Sequence, residues 1–306
     1  MVYTFAEPDA PERHDLQYFE MAANRGIYFK GWSAVTRHST PWLPNEVLPA
    51  LDDDVWELYD GNTDWTQARD IVADDPERLA KLQRLWLIEA VRYNVLPIDD
   101  RRFERLNATI AGRPQLITGT TQALFPGMKR LSEGSVIDIK NRSFTVTAAI
   151  HAATNGPTNG VIIAQGGRFG GWALFFKENR AHFVYNLLGM QEFVIGATED
   201  LASGNHQVRA EFAYDGGGLA KGGTVTLYYD GAAVGTGRVN VTQPLIFAAD
   251  ETTDIGNDYG MPVSAEYAGA SKFTGRIDVV QIDVGDDDHS HLVDPAEVAR
   301  VAISRQ

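Results

Sequence analysis

Four acidic residues, Asp250, Glu251, Asp254 and Asp258, crowd into one short stretch of this chain that has no regular pattern. Neighbouring carboxylates on irregular backbone can share a calcium ion, which takes oxygen ligands from loops. Asp250, Asp254 and Asp258 are the candidate metal ligands; there is no EF-hand spacing, and a solvated acidic loop is the plain alternative. Trp172, with Tyr185, Tyr228 and Tyr229, lies in segments of strand character, where an aromatic face can lie against the apolar face of a sugar. Core packing is the competing use of strand aromatics. Trp32, Arg37, His38 and Trp42 follow one another closely, and Trp32 and His38 are candidates for touching a substrate, with packing again the alternative. The run Gly166-Gly167-Arg168-Phe169-Gly170-Gly171 superficially suggests a phosphate cradle. Such cradles open a helix after a strand, whereas strands flank this run on both sides, so it reads as a turn.

The elements that must hold these residues differ between the two halves of the chain. In the first half, Gln17 to Met21 and Gly26 to Arg37 are aromatic-rich and read as a hairpin, with Trp56 to Tyr59 as a third short strand. A helix is expected over Pro76 to Tyr93. Asp75 can cap it, Pro76 suits its first position, and Leu79, Leu82, Leu85, Trp86 and Ile88 make the stripe to be buried. From Ser143 onward, nine short strand-like segments alternate with turn signals, which argues for an antiparallel sandwich. Asp230-Gly231 between two β-prone runs is a strong two-residue hairpin signal. The expected class is mainly β: a small α+β subdomain over 1–106, a connector over 107–142, a sandwich over 143–285 and a tail over 286–306.

Composition narrows the function classes. Acidic residues outnumber basic ones 41 to 27, giving a net charge of −14. A nucleic-acid or anionic-membrane partner needs a basic face, so neither is expected. With no cysteine there is no thiolate ligand, cysteine nucleophile or disulfide. The opening residues Met1 to Phe5 do not read as a signal peptide, and no apolar run reaches the length of a membrane span, so a soluble cytoplasmic or periplasmic chain is expected.

Ordered blocks in the first half carry a resemblance: Gln17-Tyr18-Phe19-Glu20-Met21, Asn24-Arg25-Gly26-Ile27-Tyr28, Gly31-Trp32, Trp56-Glu57-Leu58-Tyr59-Asp60, the Asp74-Asp75-Pro76 helix entry and Asn94-Val95-Leu96-Pro97. They resemble the segment that closes the fold of arylsulfatase-type sulfate ester hydrolases. Ile163 to Trp172, Phe212 to Gly218 and Gln243 to Phe247 resemble the lectin-like or glucanase-like sandwich appended to a class of bacterial arylsulfatases. The family's nucleophile is a formylglycine made from a Cys/Ser-x-Pro-x-Arg motif. The nearest run here, Ser39-Thr40-Pro41-Trp42-Leu43, has leucine where the arginine belongs. The resemblance therefore implies a C-terminal portion without the catalytic core, inactive alone, with a structural and substrate-recognition role. It implies as partner a separate sulfatase core or, through the apolar set Tyr18, Phe19, Ile27, Tyr28 and Trp32, a second copy. Two alternatives stand beside it. One is a free-standing carbohydrate-binding module; the other is a complete enzyme using sandwich carboxylates, for which no Glu-x-Asp-x-x-Glu strand motif is present.

Overall fold

The structure is a computed structural model that describes residues 4–7, 10–11, 13–40, 43, 46–101, 103–267, 269 and 271–285, with the backbone alone for Phe103 and Glu104. Trp42 and the 286–306 tail lie outside the described residues. The chain divides into two compact units that meet in sequence at Arg105 and Leu106.

The first unit is a four-stranded antiparallel sheet in the order β1 (Leu16–Met21), β2 (Asn24–Phe29), β3 (Trp32–Thr36) and β4 (Trp56–Asp60), with one helix, α1 (Pro76–Arg92). Alternation sends Ile27, Ala34 and Leu58 to the helix side, where they meet Leu82, Trp86 and Ala90. Asp75 caps the helix by accepting from the Arg78 amide at 3.0 Å, and Pro76 stands at its start. The expected hairpin strand over Gly26 to Arg37 is in fact two strands, because the chain reverses at Lys30-Gly31, both at positive φ. The helix stripe also needs correcting: Leu82 and Trp86 are buried, but Ile88 is 59% exposed. It lies with Leu87 and Val91 on the side of α1 away from the sheet.

The second unit is a two-layer antiparallel sandwich. One sheet has five strands in the order β10 (Gln191–Gly196), β9 (Arg180–Leu187), β8 (Gly170–Lys177), β7 (Gly160–Gly167) and β14 (Thr253–Ile255). The other has six: β13 (Ala232–Val239), β12 (Gly223–Tyr229), β11 (Gly204–Tyr214), β6 (Phe144–Ala152), β15 (Arg276–Val284) and β5 (Thr121–Leu124). Strand β5 comes from the stretch expected to be a connector, and pairs with β15 through Leu124 and Val280. The inner faces share one core, including Phe144, Val146, Trp172, Leu174, Phe183, Ala210, Phe212, Leu227 and Ile282.

Local chemistry explains the turns. Tyr229 pairs with Ala232, so Asp230 and Gly231 form a two-residue loop, both at positive φ, as the right-handed twist of a hairpin requires. The Gly166–Gly171 run spans the end of β7, a turn at Arg168-Phe169 and the start of β8. Gly171 has no room for a side chain, since an added Cβ would lie 2.2 Å from the Gln165 carbonyl oxygen.

Candidate functional site

The two outer faces of the sandwich are unlike each other. On the five-stranded sheet, Val161, Ala164, Ala173, Phe175 and Val184 point outward but are covered by Val263 and Tyr267 of the following segment. The part of that face on β7, β8 and β9 is thus covered by the chain itself. On the six-stranded sheet, strict alternation puts Val208, Ala210 and Phe212 inward and Gln207, Arg209 and Glu211 outward. The pairing register then lines up the outward row Gln281, Thr147, Arg209 and Tyr228, and beside it the row Asp283, Thr145, Glu211, Thr226 and Thr236. The face is dominated by hydroxyls and amides, with the Tyr228 ring at the β12 end of the first row.

Arg209 anchors this face. Its guanidinium lies over the Tyr228 ring, 4.1 Å from the centroid, and 4.0 Å from Glu211 Oε2. Its Nε and the Thr147 hydroxyl are buried and have no hydrogen-bond partner among the described residues. Partial burial, then the adjacent Glu211 carboxylate, push the Tyr228 hydroxyl above its ordinary range, so it stays protonated as a donor. Gln207, Thr224, Thr226, Tyr228 and Gln281 are half-buried. Together they offer donors and acceptors beside a ring face.

The residues singled out from sequence fall elsewhere. Trp172 is fully buried in the sandwich core, stacked against Phe183 and donating to Gln165 Oε1 at 2.8 Å. It presents no face to a ligand, which corrects its assignment as a sugar platform; its outward neighbours on β8 are the ones the closing segment covers. Tyr185 is buried as well, its hydroxyl accepting from the Gln243 amide. Tyr229 is buried with its hydroxyl accepting from the Ala181 amide at 2.7 Å, and burial raises it to about 12.

In the first unit, His38 is buried and cannot touch a ligand directly. Its Nδ1 sits 2.9 Å from Asp54 Oδ1, Asp54 also takes the Arg25 guanidinium, and His38 Nε2 faces Asp100 Oδ2 at 3.6 Å. This charge cluster ties β2 to the segments flanking β3 and β4. Trp32 is half-buried with the Arg78 guanidinium 3.8 Å above its ring, so one aromatic face is already taken.

The acidic stretch also separates. Asp250 is exposed, whereas Asp254 accepts from the Arg130 and Tyr259 amides and Asp258 from the Val263 amide and the Tyr267 hydroxyl. Burial raises Asp258, with the neighbouring Asp254 charge adding to it. No group of three or more acidic or histidine side chains able to hold a metal occurs among the described residues. Calcium takes about six to eight oxygens, and this set does not fit it.

Arg209 and Glu211 went unnoticed in the sequence, although the signal is present. The string Gln207-Val208-Arg209-Ala210-Glu211-Phe212 is a strand whose outward positions are all polar and long.

The chain matches the concanavalin A-like lectin/glucanases superfamily over residues 129–283. No curated protein matches it. Among solved structures it is similar to domains LG4-5 of the mouse laminin alpha1 chain, at 18% identity and TM-score 0.33, covering 54% of this chain and 39% of that one. It is also similar to the CBM40 of a Ruminococcus gnavus IT-sialidase bound to alpha2,3 sialyllactose, at 12% identity and TM-score 0.38, covering 60% and 99%. A heptameric SAP-like pentraxin from Limulus polyphemus is a third, at 14% identity and TM-score 0.30, covering 54% and 73%. Neither the family match nor these structures give support to a sulfatase origin. The matched span takes in ten of the sandwich's eleven strands, β6 through β15, and over that span the chain belongs to the concanavalin A-like lectin/glucanases superfamily.

Proposed function

We propose that the second unit is a carbohydrate-binding module whose ligand lies on the outer face of the six-stranded sheet. The observation that carries this reading is the juxtaposition of the Tyr228 ring with a field of threonine, glutamine and arginine side chains. Sugars present apolar ring faces edged with hydroxyls, and such a surface offers a partner to each. Superfamily membership adds to the reading without naming a ligand. A glycan array on the intact chain tests it, followed by titration of any hit against Tyr228→Ala. Loss of a hit in a variant that keeps its melting temperature supports the assignment; undiminished binding moves the site elsewhere.

A second reading, that the first unit is the closing subdomain of an arylsulfatase-type hydrolase, keeps one observation in its favour. Of the apolar set expected to cover a core, Ile27 is buried against the helix and Tyr18, Tyr28 and Trp32 are half-buried, but Phe19 is 57% exposed. It lines an open groove of about 650 Å³ together with Met21 and Val35. Light scattering of the intact chain tests whether a second copy covers this groove. A dimer that Phe19→Glu converts to monomer supports such coverage, and a wild-type monomer counts against it.

A further inference from the structure

The charge arrangement on the six-stranded face says which glycans it can take. Among the described residues three arginines reach this face, and each lies beside a carboxylate. Arg209 lies beside Glu211, Arg238 makes a two-pronged contact with Asp215 at 2.9 and 2.6 Å, and Arg276 pairs with Asp278 at 3.1 Å. Asp283 adds one further negative charge, accepting from the Thr121 hydroxyl and the Gln281 amide. Arg209 also lies over the Tyr228 ring and is 6% exposed, so its charge is not offered outward. The rest of the face, Thr145, Thr147, Thr224, Thr226, Thr236, Gln207 and Gln281, is neutral and able both to donate and to accept.

An anionic sugar needs an unshared cation, because a buried or half-buried carboxylate or sulfate without one loses more hydration than it recovers. Among the described residues this face has none to give, and the whole chain carries a net charge of −14. A sugar hydroxyl, by contrast, donates and accepts at once, as threonine and glutamine do. We infer that the face binds uncharged, hydroxyl-rich oligosaccharides and rejects carboxylated and sulfated ones. This inference rests on the carbohydrate-binding reading above, and it runs against the sulfated ligand that the arylsulfatase resemblance implies.

The test uses the intact chain and a matched panel of neutral, sulfated and carboxylated oligosaccharides. Titration of the strongest neutral hit is then repeated at low and high salt. Neutral glycans should bind with an affinity that salt leaves unchanged, because no net charge is neutralised on binding. Asp215→Asn should free Arg238, the half-exposed arginine of this face, and raise affinity for carboxylated sugars up to about tenfold, the worth of one charge-assisted hydrogen bond, with circular dichroism confirming that the variant folds. Binding confined to sulfated or carboxylated glycans, weakening steeply with salt, overturns the inference and leaves the carbohydrate-binding reading standing. Silence across the whole panel overturns both.

Discussion

Replacing Trp172 by phenylalanine separates a core role from a ligand-facing one. Phenylalanine keeps ring contacts with Phe144 and Phe183, whose centroids both lie 6.0 Å from that of Trp172. It removes the indole N–H that donates to Gln165 Oε1 at 2.8 Å. Gln165 is itself buried, and its amide nitrogen is held by Thr253 Oγ1 at 3.1 Å, so the freed oxygen cannot turn to a new donor without breaking that bond. A buried acceptor left unmet costs about 1–3 kcal/mol, and the smaller ring forfeits about 1 kcal/mol of apolar burial. The loss is therefore about 2–4 kcal/mol. For a domain of this size, that lowers the sandwich's melting temperature by on the order of 10 °C. Scanning calorimetry of the intact chain reads the shift, and the affinity for any glycan hit should be unchanged. An unaltered transition, or a stable variant that has lost its ligand, would refute the reasoning.

Three further outcomes follow from other parts of the sandwich. Lys140→Met should destabilise it by about 3–5 kcal/mol in urea titration, because Lys140 is buried between Glu133 and Asp138 at 2.5 and 2.7 Å and its removal leaves two carboxylates without their cation. Gly231→Ala should cost about 1–2 kcal/mol, from backbone strain alone, since φ is +86° and an added Cβ meets nothing within 4 Å. Asp258 has a folded-state pKa raised by burial, so its neutral form is the one the fold prefers. Its contribution is greatest below the unfolded-state value of 3.8 and is lost as pH rises through the folded one. The stability of Asp258→Asn relative to wild type should accordingly increase with pH across that window, as followed by thermal melts.

Much of the fold was legible because the backbone's needs write directly into residue choice. The Asp75-Pro76 entry fixed the start of α1, and Asp230-Gly231 fixed a hairpin to the residue. The failures have equally local causes. A single reversal at Lys30-Gly31 hid inside a run of β-formers, and joined two strands into one. Ile88 followed Leu85 at helical spacing but missed the sheet, because two residues from both Trp86 and Ala90 it stands on the opposite side of the helix from them. Thr121–Leu124 and Thr253–Ile255 are too short for periodicity to register, and each is an edge strand whose existence depends on a neighbour far along the chain.

The candidate site was harder to read than the fold for a reason that Trp172 and Arg209 make plain. In a sandwich every strand residue faces either the core or the outside, and which side is which follows from parity. Parity places Trp172 with Leu174 and Phe176 inside, and Arg209 with Gln207 and Glu211 outside. Residue type alone pointed the other way, drawing attention to the large aromatic and past an arginine between two small apolar residues. Assembling the face also needed the register of strands distant in sequence: Thr147 is brought beside Arg209 by the pairing of β6 with β11, and Gln281 beside Thr147 by that of β15 with β6. His38 shows the converse. Histidine near an aromatic invites a binding role, yet Asp54, which also holds Arg25, sits on one side of the ring and Asp100 faces the other. Buried among the charged groups of its own unit, His38 has no surface to offer a ligand, whereas the Tyr228 face lies open, and on that criterion it is the better candidate of the two.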